Sequence, residues 1–245
     1  MTESRSQSLR RPRPGEVHLW HFDLDAPADM LERYRALLDE AERTRAARFI
    51  RDLHRDRFII GRARLRMLLG RYLSQPPESV AFTYGAQGKP SLTLAPNPGP
   101  FSFNLSHSGG AAICAIAGFD RVGVDMEATK ESRDLLPIAR RFFSEAERDQ
   151  LLALPKVQQC PAFYQCWASK EALLKAWGTG LLTPLEKFTV LVAPGKARIN
   201  RIDLPEWAQT PWRVYPVDAP PGFAAALATP GTVERLIPCS WVESL

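Results

Sequence analysis

The sequence predicts an α+β fold made of two lobes with similar element content. Strand-like alternation and helical spacing of apolar residues follow one another through both halves of the 245-residue chain. The hydrophobic content of 45% is enough to bury a sizeable core, either as one large domain or as two small lobes. A predicted strand ends near residues 118–121, where we place the seam. A cleft between two such lobes is a natural ligand site.

The N-terminal half has mixed α and β character. Residues 1–16 are polar and rich in Arg and Pro, with no apolar core for an export signal, so we expect a disordered tail there and an N-terminal lobe at 17–120. Alternating apolar residues predict strands at 17–24, 80–84, 101–105 and 113–117. Helical spacing predicts one helix from Asp29 and an Arg-rich helix at about 55–72. The segment PNPGP at 96–100 predicts a turn.

The C-terminal half, expected to form a lobe at 121–245, repeats this kind of order. A strand is predicted at 122–127, then a helix around 135–142 and a further helix opened by the capping box Ser144-x-x-Glu147. A long helix with Pro161 near its start ends near Trp177, just before Gly178. Strands are expected at 188–192, 212–216 and 223–228.

Composition narrows the setting of the protein. Lys and Arg together number 32 against 27 for Asp and Glu, which hints at acidic partners. No run approaches the roughly 18 apolar residues of a membrane span. The four cysteines show no CxxC pair or metal-like spacing, so we expect a cytoplasmic protein with free thiols. His18 and His21 lie three apart in a predicted strand and point to opposite faces, which argues against a metal site there.

Three acidic residues form a candidate metal site. Asp125 and Glu127 lie two apart on a predicted strand and share one side, while Glu171 and Lys175 lie one turn apart on the long helix. If strand and helix pack together, each carboxylate pair at about 4 Å repels by roughly 4 kcal/mol at an effective dielectric near 20. A cation is therefore expected. Oxygen ligands without nearby His or Cys favour magnesium, which takes further ligands from substrate phosphates that Lys175 could also reach.

The same spacing also fits an ordinary buried strand that ends in two solvated acids, beside an amphipathic helix with a surface Glu/Lys pair. Two further segments favour the functional interpretation, GKP at 88–90 and FNLSHSGGAAICAIA at 103–117.

Five motifs occur in a fixed order: GKP (88–90), FNLSHS (103–108), GVDME (123–127), RRFFSEAE (140–147) and WASKEALLKAWGTGL (167–181). Together they resemble the 4'-phosphopantetheinyl transferases of the surfactin-synthetase-activating type. The resemblance implies transfer of the phosphopantetheine arm of coenzyme A to a serine of an apo acyl, peptidyl or aryl carrier protein, with release of adenosine 3',5'-bisphosphate and a need for magnesium. It also implies two similar lobes related by a pseudo-twofold axis, each a small mainly antiparallel sheet packed with helices, with the cofactor in the cleft between them.

The resemblance assigns roles to individual residues. It makes Asp125, Glu127 and Glu171 the magnesium ligands, with Glu171 also drawing the proton from the carrier serine, directly or through water, and Lys175 assisting the departing phosphate. The residues it implies for coenzyme A binding are Arg45, Arg57, Lys89, Pro90, Ser106, His107, Lys170 and Lys175.

Several of these assignments have simpler alternatives. His107 and Ser106 match the 3'-phosphate side and Lys89 the adenine side, but a turn histidine and an exposed turn lysine fit the same positions. Arg45 and Arg57 lie among other arginines that could serve equally, and Glu42 stands where one relative has a lysine. Lys170 fits either a phosphate contact or a solvated position.

The partner side and two rival functions complete the expectations. The segment 134–143 offers Leu135, Leu136, Arg140 and Arg141 to the acidic helix of a carrier protein, or else core packing with solvated arginines. Kinship implies a monomer in secondary metabolism. We expect no nucleic acid or membrane partner, because the sequence shows no recognition motif for DNA or RNA and no membrane span. The alternatives are a magnesium-dependent nuclease, which the basic pI suits, and a non-catalytic binding module for acidic helices.

Overall fold

Two small sheets, each covered by a long helix, meet along one edge of each sheet. The structure is a computed structural model that describes residues 9–85, 87–93, 99–130 and 134–241. The predicted α+β class with two lobes is confirmed. No helix in these four ranges is both long and apolar enough to cross a membrane.

The N-terminal lobe places three helices between its first strand and the others. Its elements are β1 (Glu16–Asp23), α1 (Ala28–Ala36), α2 (Glu40–Ala47), α3 (Asp52–Leu73), β2 (Phe82–Tyr84), β3 (Pro90–Leu92), β4 (Ser102–Ser108) and β5 (Ala111–Ala117). Helix α2 is an addition to the predicted set. It begins at a capping box, in which the Asp39 side chain accepts from the Glu42 amide and the Glu42 carboxylate accepts from the Asp39 amide.

The C-terminal lobe follows the predicted order closely. Its elements are β6 (Gly123–Ala128), α4 (Leu136–Phe142), α5 (Glu145–Ala153), α6 (Lys156–Trp177), β7 (Phe188–Val190), β8 (Ile199–Ile202), α7 (Pro205–Ala208), β9 (Arg213–Pro216), β10 (Phe223–Thr229) and β11 (Arg235–Ser240). The capping box of Ser144 and Glu147 is present at the start of α5. Helix α6 starts earlier than predicted, so Pro161 lies inside it, and Gly178 ends it in a left-handed conformation.

The larger sheet has the order β11-β1-β5-β4 and the smaller one the order β6-β10-β9. Neighbouring strands are antiparallel except for β1 and β11, which are parallel. Strand β1 is apolar on both faces: Trp20 and Phe22 pack with α3, whereas Val17 and Leu19 pack with residues of the smaller sheet. The core therefore continues from one lobe into the other.

The chain ends do not follow the predicted boundaries. Strand β11 belongs to the sheet of the N-terminal lobe, so a C-terminal lobe of 121–245 is too long. The tail predicted at 1–16 is also corrected in part, because Leu9 donates to the Arg71 carbonyl and Glu16 lies in β1 beside Arg10. Residues 1–8, and most of the PNPGP turn, lie outside the described residues.

Edge strands β4 and β6 are joined by side chains rather than by a backbone ladder. Alternate amides of β6 point away from β10 and would lack partners at a sheet edge. Alternate side chains of β4 accept from them: Asn104 from Val124 at 2.8 Å, Ser106 from Met126 at 3.3 Å and Ser108 from Ala128 at 3.0 Å. We call these three bonds the polar seam. It fixes the register of one lobe against the other, since buried amides need partners.

Helix α6 lies unusually close to strand β6 at one glycine. A Cβ atom added at Gly123 would lie 1.9 Å from the Ala172 carbonyl oxygen and 2.5 Å from the Ala176 amide nitrogen. Only a residue without a side chain allows this approach. The contact sets the distance between the acids of β6 and the acid of α6.

We predict that Gly123→Ala destabilises the protein by about 3 kcal/mol, because the added methyl group forces helix and strand apart. Urea denaturation followed by circular dichroism measures this. Gly85→Ala is the control, since the nearest atom to its added Cβ lies 3.9 Å away. Equal stability of the two variants would contradict the close packing described above.

Candidate active site

The predicted acids are brought together where α6 crosses β6. Asp125 and Glu127 project to one side of β6, as strand alternation requires, and Glu171 comes from the facing helix. Asp125 is buried, and the other two acids are half-buried. They interact electrostatically, because the charges of Asp125 and Glu127 both act to raise the pKa of Glu171.

Lys175 provides the cation that faces these acids. Its Nζ lies 2.6 Å from Asp125 Oδ1 and 2.9 Å from Ser106 Oγ. The other oxygen, Asp125 Oδ2, is buried and has no hydrogen-bond partner among the residues that the structure describes. One ammonium thus faces three carboxylates, and one carboxylate oxygen is left available.

The pKa values show how the site is charged. Burial, followed by the Asp125 charge and a smaller repulsion from Glu127, raises the pKa of Glu171 to about 7, and Lys175 only partly offsets this. Burial and then Asp125 also raise the pKa of Glu127, against the opposing hydrogen bond from Ser108. Glu171 is therefore shared between its protonated and ionised forms at neutral pH, as suits a general base.

Ser106 and Ser108 connect the polar seam to the acids. Ser106 donates to Asp125 Oδ1 at 2.9 Å, and Ser108 donates to Glu127 Oε2 at 3.2 Å. The Ser106 hydroxyl also accepts from Lys175 and from the Met126 amide, so its bonding capacity is used within the protein. The predicted contact of Ser106 with coenzyme A is thereby corrected to a role in holding Asp125. Ser108 was missed, although its alternation with Ser106 was visible in the sequence.

His107 lies between these serines in sequence and on the opposite side of β4. Its side chain is exposed, unlike that of Ser106. Nearby protein still removes part of the water around the ring, and this desolvation, followed by the positive charges of Lys175 and Arg45, lowers its pKa, which the Asp125 charge partly opposes. The imidazole is thus neutral at pH 7 and able to donate a hydrogen bond to an anion.

Comparison with known proteins gives the family. Residues 121–228 match the family profile described as the 4'-phosphopantetheinyl transferase superfamily, and residues 26–118 match the profile described as 4'-phosphopantetheinyl transferase, N-terminal. The 4'-phosphopantetheinyl transferase HetI of Nostoc sp. is 40% identical over 73% of this chain and 75% of its own length. The chain belongs to the 4'-phosphopantetheinyl transferase family.

Two further relatives support this membership over more of the chain. The 4'-phosphopantetheinyl transferase Sfp of Bacillus subtilis is 32% identical over 87% of this chain and 92% of its own length. The 4'-phosphopantetheinyl transferase psf-1 of Bacillus pumilus is 31% identical over 87% and 88%. The enzyme class and the reaction predicted from the five motifs, transfer of phosphopantetheine from coenzyme A to a carrier protein, are confirmed.

The donor set of the transferase suits a hard divalent cation. All three acids offer oxygen atoms, Asp125 Oδ2 is unpartnered, and mutual repulsion raises the pKa of Glu171. Among the described residues, however, no group of three or more His, Cys, Asp or Glu side chains forms a ready-made metal cage. The Lys175 ammonium stands against Asp125 instead. The acids fit magnesium by chemistry, and Lys175 is paired with one of them.

Lys89 joins the two lobes of the transferase. Its ammonium donates to the carbonyl oxygens of Val122 and Lys175, and burial, followed by Arg121 and Lys175, lowers its pKa to about 8. The Lys89 side chain, which was predicted to lie at the adenine side, is therefore already hydrogen-bonded within the protein. Its backbone and Pro90 do line a cavity of about 350 Å³ between the lobes.

The two predicted arginines have different surroundings. Arg45 lies 5.2 Å from the centre of the Phe58 ring and lines a second cavity, of about 570 Å³, in the N-terminal lobe. Arg57 directs its guanidinium at Asp25, with bonds of 2.8 and 3.0 Å, beside the turn at Gly110. Arg45 thus lines a cavity that could hold a ligand, whereas Arg57 is paired with an exposed aspartate, and both remain predicted coenzyme A contacts.

The predicted phosphate contact of Lys170 is wrong. Its side chain is 1% exposed and donates to both Glu147 carboxylate oxygens and to the Phe188 carbonyl, each at 2.7 Å. One residue along a helix turns the side chain by about 100°, which takes Lys170 from the Glu171 face into the core. Lys170 ties α5, α6 and β7 together.

We predict that Lys170→Met lowers stability by about 3 to 5 kcal/mol, because it leaves the Glu147 carboxylate buried without its cation. Urea denaturation of this variant and of Lys156→Met, which changes an exposed lysine of the same helix, measures the difference. A loss of coenzyme A affinity with unchanged stability would restore the phosphate role.

We predict that Glu171→Gln stabilises the metal-free transferase at pH 8 but not at pH 4.5. The folded protein holds the Glu171 proton up to a pKa of about 7, above the ordinary value of 4.5. The wild type therefore loses stability as pH rises between these values, whereas a glutamine has no proton to lose. Melting temperatures in EDTA across this range test it, with Glu145→Gln as the exposed control. A difference between Glu171→Gln and wild type that is constant with pH would contradict the assigned shift.

Proposed function

We propose that this transferase uses magnesium, held by Asp125, Glu127 and Glu171, to move the phosphopantetheine arm of coenzyme A onto a carrier serine. Adenosine 3',5'-bisphosphate is the leaving product. The observation that supports this is the meeting of three acids and Lys175 at the polar seam, where the two lobes adjoin. Magnesium, when bound, supplies charge neutralisation for the pyrophosphate.

The side chains divide the chemistry among them. A serine hydroxyl needs a base within hydrogen-bonding reach, and Glu171 takes this proton directly or through one water molecule. Lys175 offers an ammonium to the charge that develops on the departing phosphate. Ser106 and Ser108 hold Asp125 and Glu127 in place, so the acids need no rearrangement of their own strand.

Coenzyme A is proposed to lie across both lobes. His107 and Arg45, which influence each other electrostatically, take the 3'-phosphate. The hairpin backbone at Lys89 and Pro90 lines the cavity between the lobes that takes the adenine. Phosphate groups favour such sites because ionised donors and acceptors form the stronger hydrogen bonds.

The carrier protein is proposed to dock on α4. Arg140 and Arg141 are exposed there, and Leu136 is half-buried, which gives a basic surface with an apolar edge suited to an acidic helix. Leu135 packs against the core of the lobe and is withdrawn from the predicted surface. The proposal also takes the enzyme as a cytoplasmic monomer of secondary metabolism, without nucleic acid or membrane partners. The free state of Cys114, Cys160, Cys166 and Cys239 supports a reducing compartment.

The deciding experiment measures the mass of the carrier. Wild-type enzyme, coenzyme A and magnesium are incubated with a panel of apo carriers from fatty acid, polyketide, peptide and lysine synthesis. We expect one or more carriers to gain the phosphopantetheine arm, and EDTA to prevent the gain. Asp125→Asn and Glu171→Gln should lower kcat by about 10² to 10⁴ with the fold intact by circular dichroism. Asp149→Asn, an exposed acid of α5, is the matched control.

Two outcomes would count against the proposal in different ways. No gain of mass on any carrier contradicts the transfer itself and returns attention to a binding module. Transfer at the wild-type rate by Asp125→Asn or Glu171→Gln would leave the reaction standing and remove the assigned roles.

A further inference from the structure

The second cavity carries more positive charge than the sequence motifs account for. Its volume is about 570 Å³, and three arginines line it: Arg45 and Arg48 from the region of α2, and Arg62 from α3. Two acids also line the cavity. Glu40 is exposed and lies 3.5 Å from Arg43, while the Glu42 carboxylate is 2% exposed and is shared by Arg62 and Arg66. An anion in this cavity would therefore meet guanidinium groups.

Arg62 is held rigidly at the cavity wall. Its Nε donates to Glu42 Oε1 at 2.6 Å, and its Nη2 donates to the Tyr84 hydroxyl at 3.0 Å. The guanidinium also lies over the Phe82 ring, 4.6 Å from its centre. Three contacts, one from α2 and two from β2, thus fix the plane of this one group, which lowers the entropy lost when it binds a ligand.

Arg66 shows what a fully committed arginine looks like in the same cluster. It donates to Glu42 Oε2 and Asp39 Oδ2 at 2.6 Å each, and to the Val80 carbonyl at 2.9 Å. In contrast, Arg62 Nη1 makes no hydrogen bond within the described part of the chain and is not among its buried unpaired atoms. Arg62 therefore keeps an amino group for a ligand, whereas Arg66 anchors Glu42.

The cavity contains the arginine proposed for the 3'-phosphate. Arg45 and Arg62 line it together, and the charge of Arg45 is also felt by His107. Arg57, the other arginine expected here, is bound to Asp25. Of the two arginines expected at the 3'-phosphate, Arg45 therefore shares a cavity with Arg62, whereas Arg57 is paired elsewhere.

We propose that Arg62, positioned by Glu42 and Tyr84, contacts the 3'-phosphate of coenzyme A and makes the transferase select coenzyme A over its 3'-dephospho form. This rests on the proposed function. A phosphate monoester dianion accepts charge-assisted hydrogen bonds from Arg62 Nη1 and from Arg45 together. The 3'-dephospho form offers only a hydroxyl at that position and leaves these donors without an anion.

The test compares two pairs of ligands that differ only in the 3'-phosphate. Transfer assays give kcat/KM for coenzyme A and for 3'-dephospho-coenzyme A. Calorimetry without any carrier gives Kd for adenosine 3',5'-bisphosphate and for adenosine 5'-monophosphate. We expect Arg62→Gln to lower the preference for the 3'-phosphate by roughly tenfold or more in both measurements, as expected for the loss of a hydrogen bond to a charged group.

Two further variants complete the design. Tyr84→Phe removes the hydroxyl that orients Arg62 from an exposed position, so it should lower the preference less and leave the fold intact. Arg55→Gln changes an arginine of the same helix that is paired with Asp52 and Asp56, and it should leave the preference unchanged. Circular dichroism reports the folding of each variant.

Each result decides the proposal. An unchanged preference in folded Arg62→Gln overturns it. If that variant does not fold, an unchanged preference in Tyr84→Phe overturns it instead. If the wild type transfers to no carrier, the proposed function fails, and the calorimetric comparison still decides whether Arg62 recognises a 3'-phosphate. An equal loss for both ligands of a pair would show a structural role only and would also overturn it.

Discussion

The polar seam between β4 and β6 is the constraint on which the rest of the structure depends. Two sheets end side by side, and the alternate amides of β6 that point away from β10 donate to the side chains of Asn104, Ser106 and Ser108. Two of these hydroxyls also donate to Asp125 and Glu127. The bonds that set the lobes in register therefore also place the acids, so a change in lobe position would move the chemistry.

Packing brings three carboxylates and one ammonium together, so the site carries an excess of negative charge. Gly123 lets α6 approach β6 so closely that the half-buried Glu171 lies beside two other carboxylates, which Lys175 partly offsets. This arrangement costs stability at neutral pH, because the ionised acids repel one another. The same repulsion makes a divalent cation favourable beside these acids, and a bound cation would lower the pKa of Glu171 again. The contact of α6 with β6 at Gly123 therefore affects both the stability of the protein and the proposed metal site.

Local sequence patterns predicted most of the helices and strands and the family, but they could not predict which distant strands pair. Alternation placed Asp125 and Glu127 on one side of a strand, and motif order gave the family. Neither could show that β11, near the C-terminal end of the described chain, pairs with β1, because the sequence of residues 235–240 does not indicate which strand lies beside it. Lys170 failed for a related reason: helical spacing gives its angle from Glu171, but only the packing of Glu147 shows which side is the core.

The arginine-rich helices show how burial separates residues that sequence treats alike. Burying Glu42 costs solvation energy, which is recovered only if strong partners surround its carboxylate. Arg62 and Arg66 provide these partners. The donors of Arg66 are occupied by carboxylates and by backbone carbonyls. Arg62 keeps a donor available, because its Nη1 makes no hydrogen bond among the described residues. One relative has a lysine at the position of Glu42 in α2. In this chain the position is acidic, and the positive charge available to a ligand lies on Arg62 of α3. Contacts with Phe82 and Tyr84 hold the Arg62 guanidinium in a fixed plane.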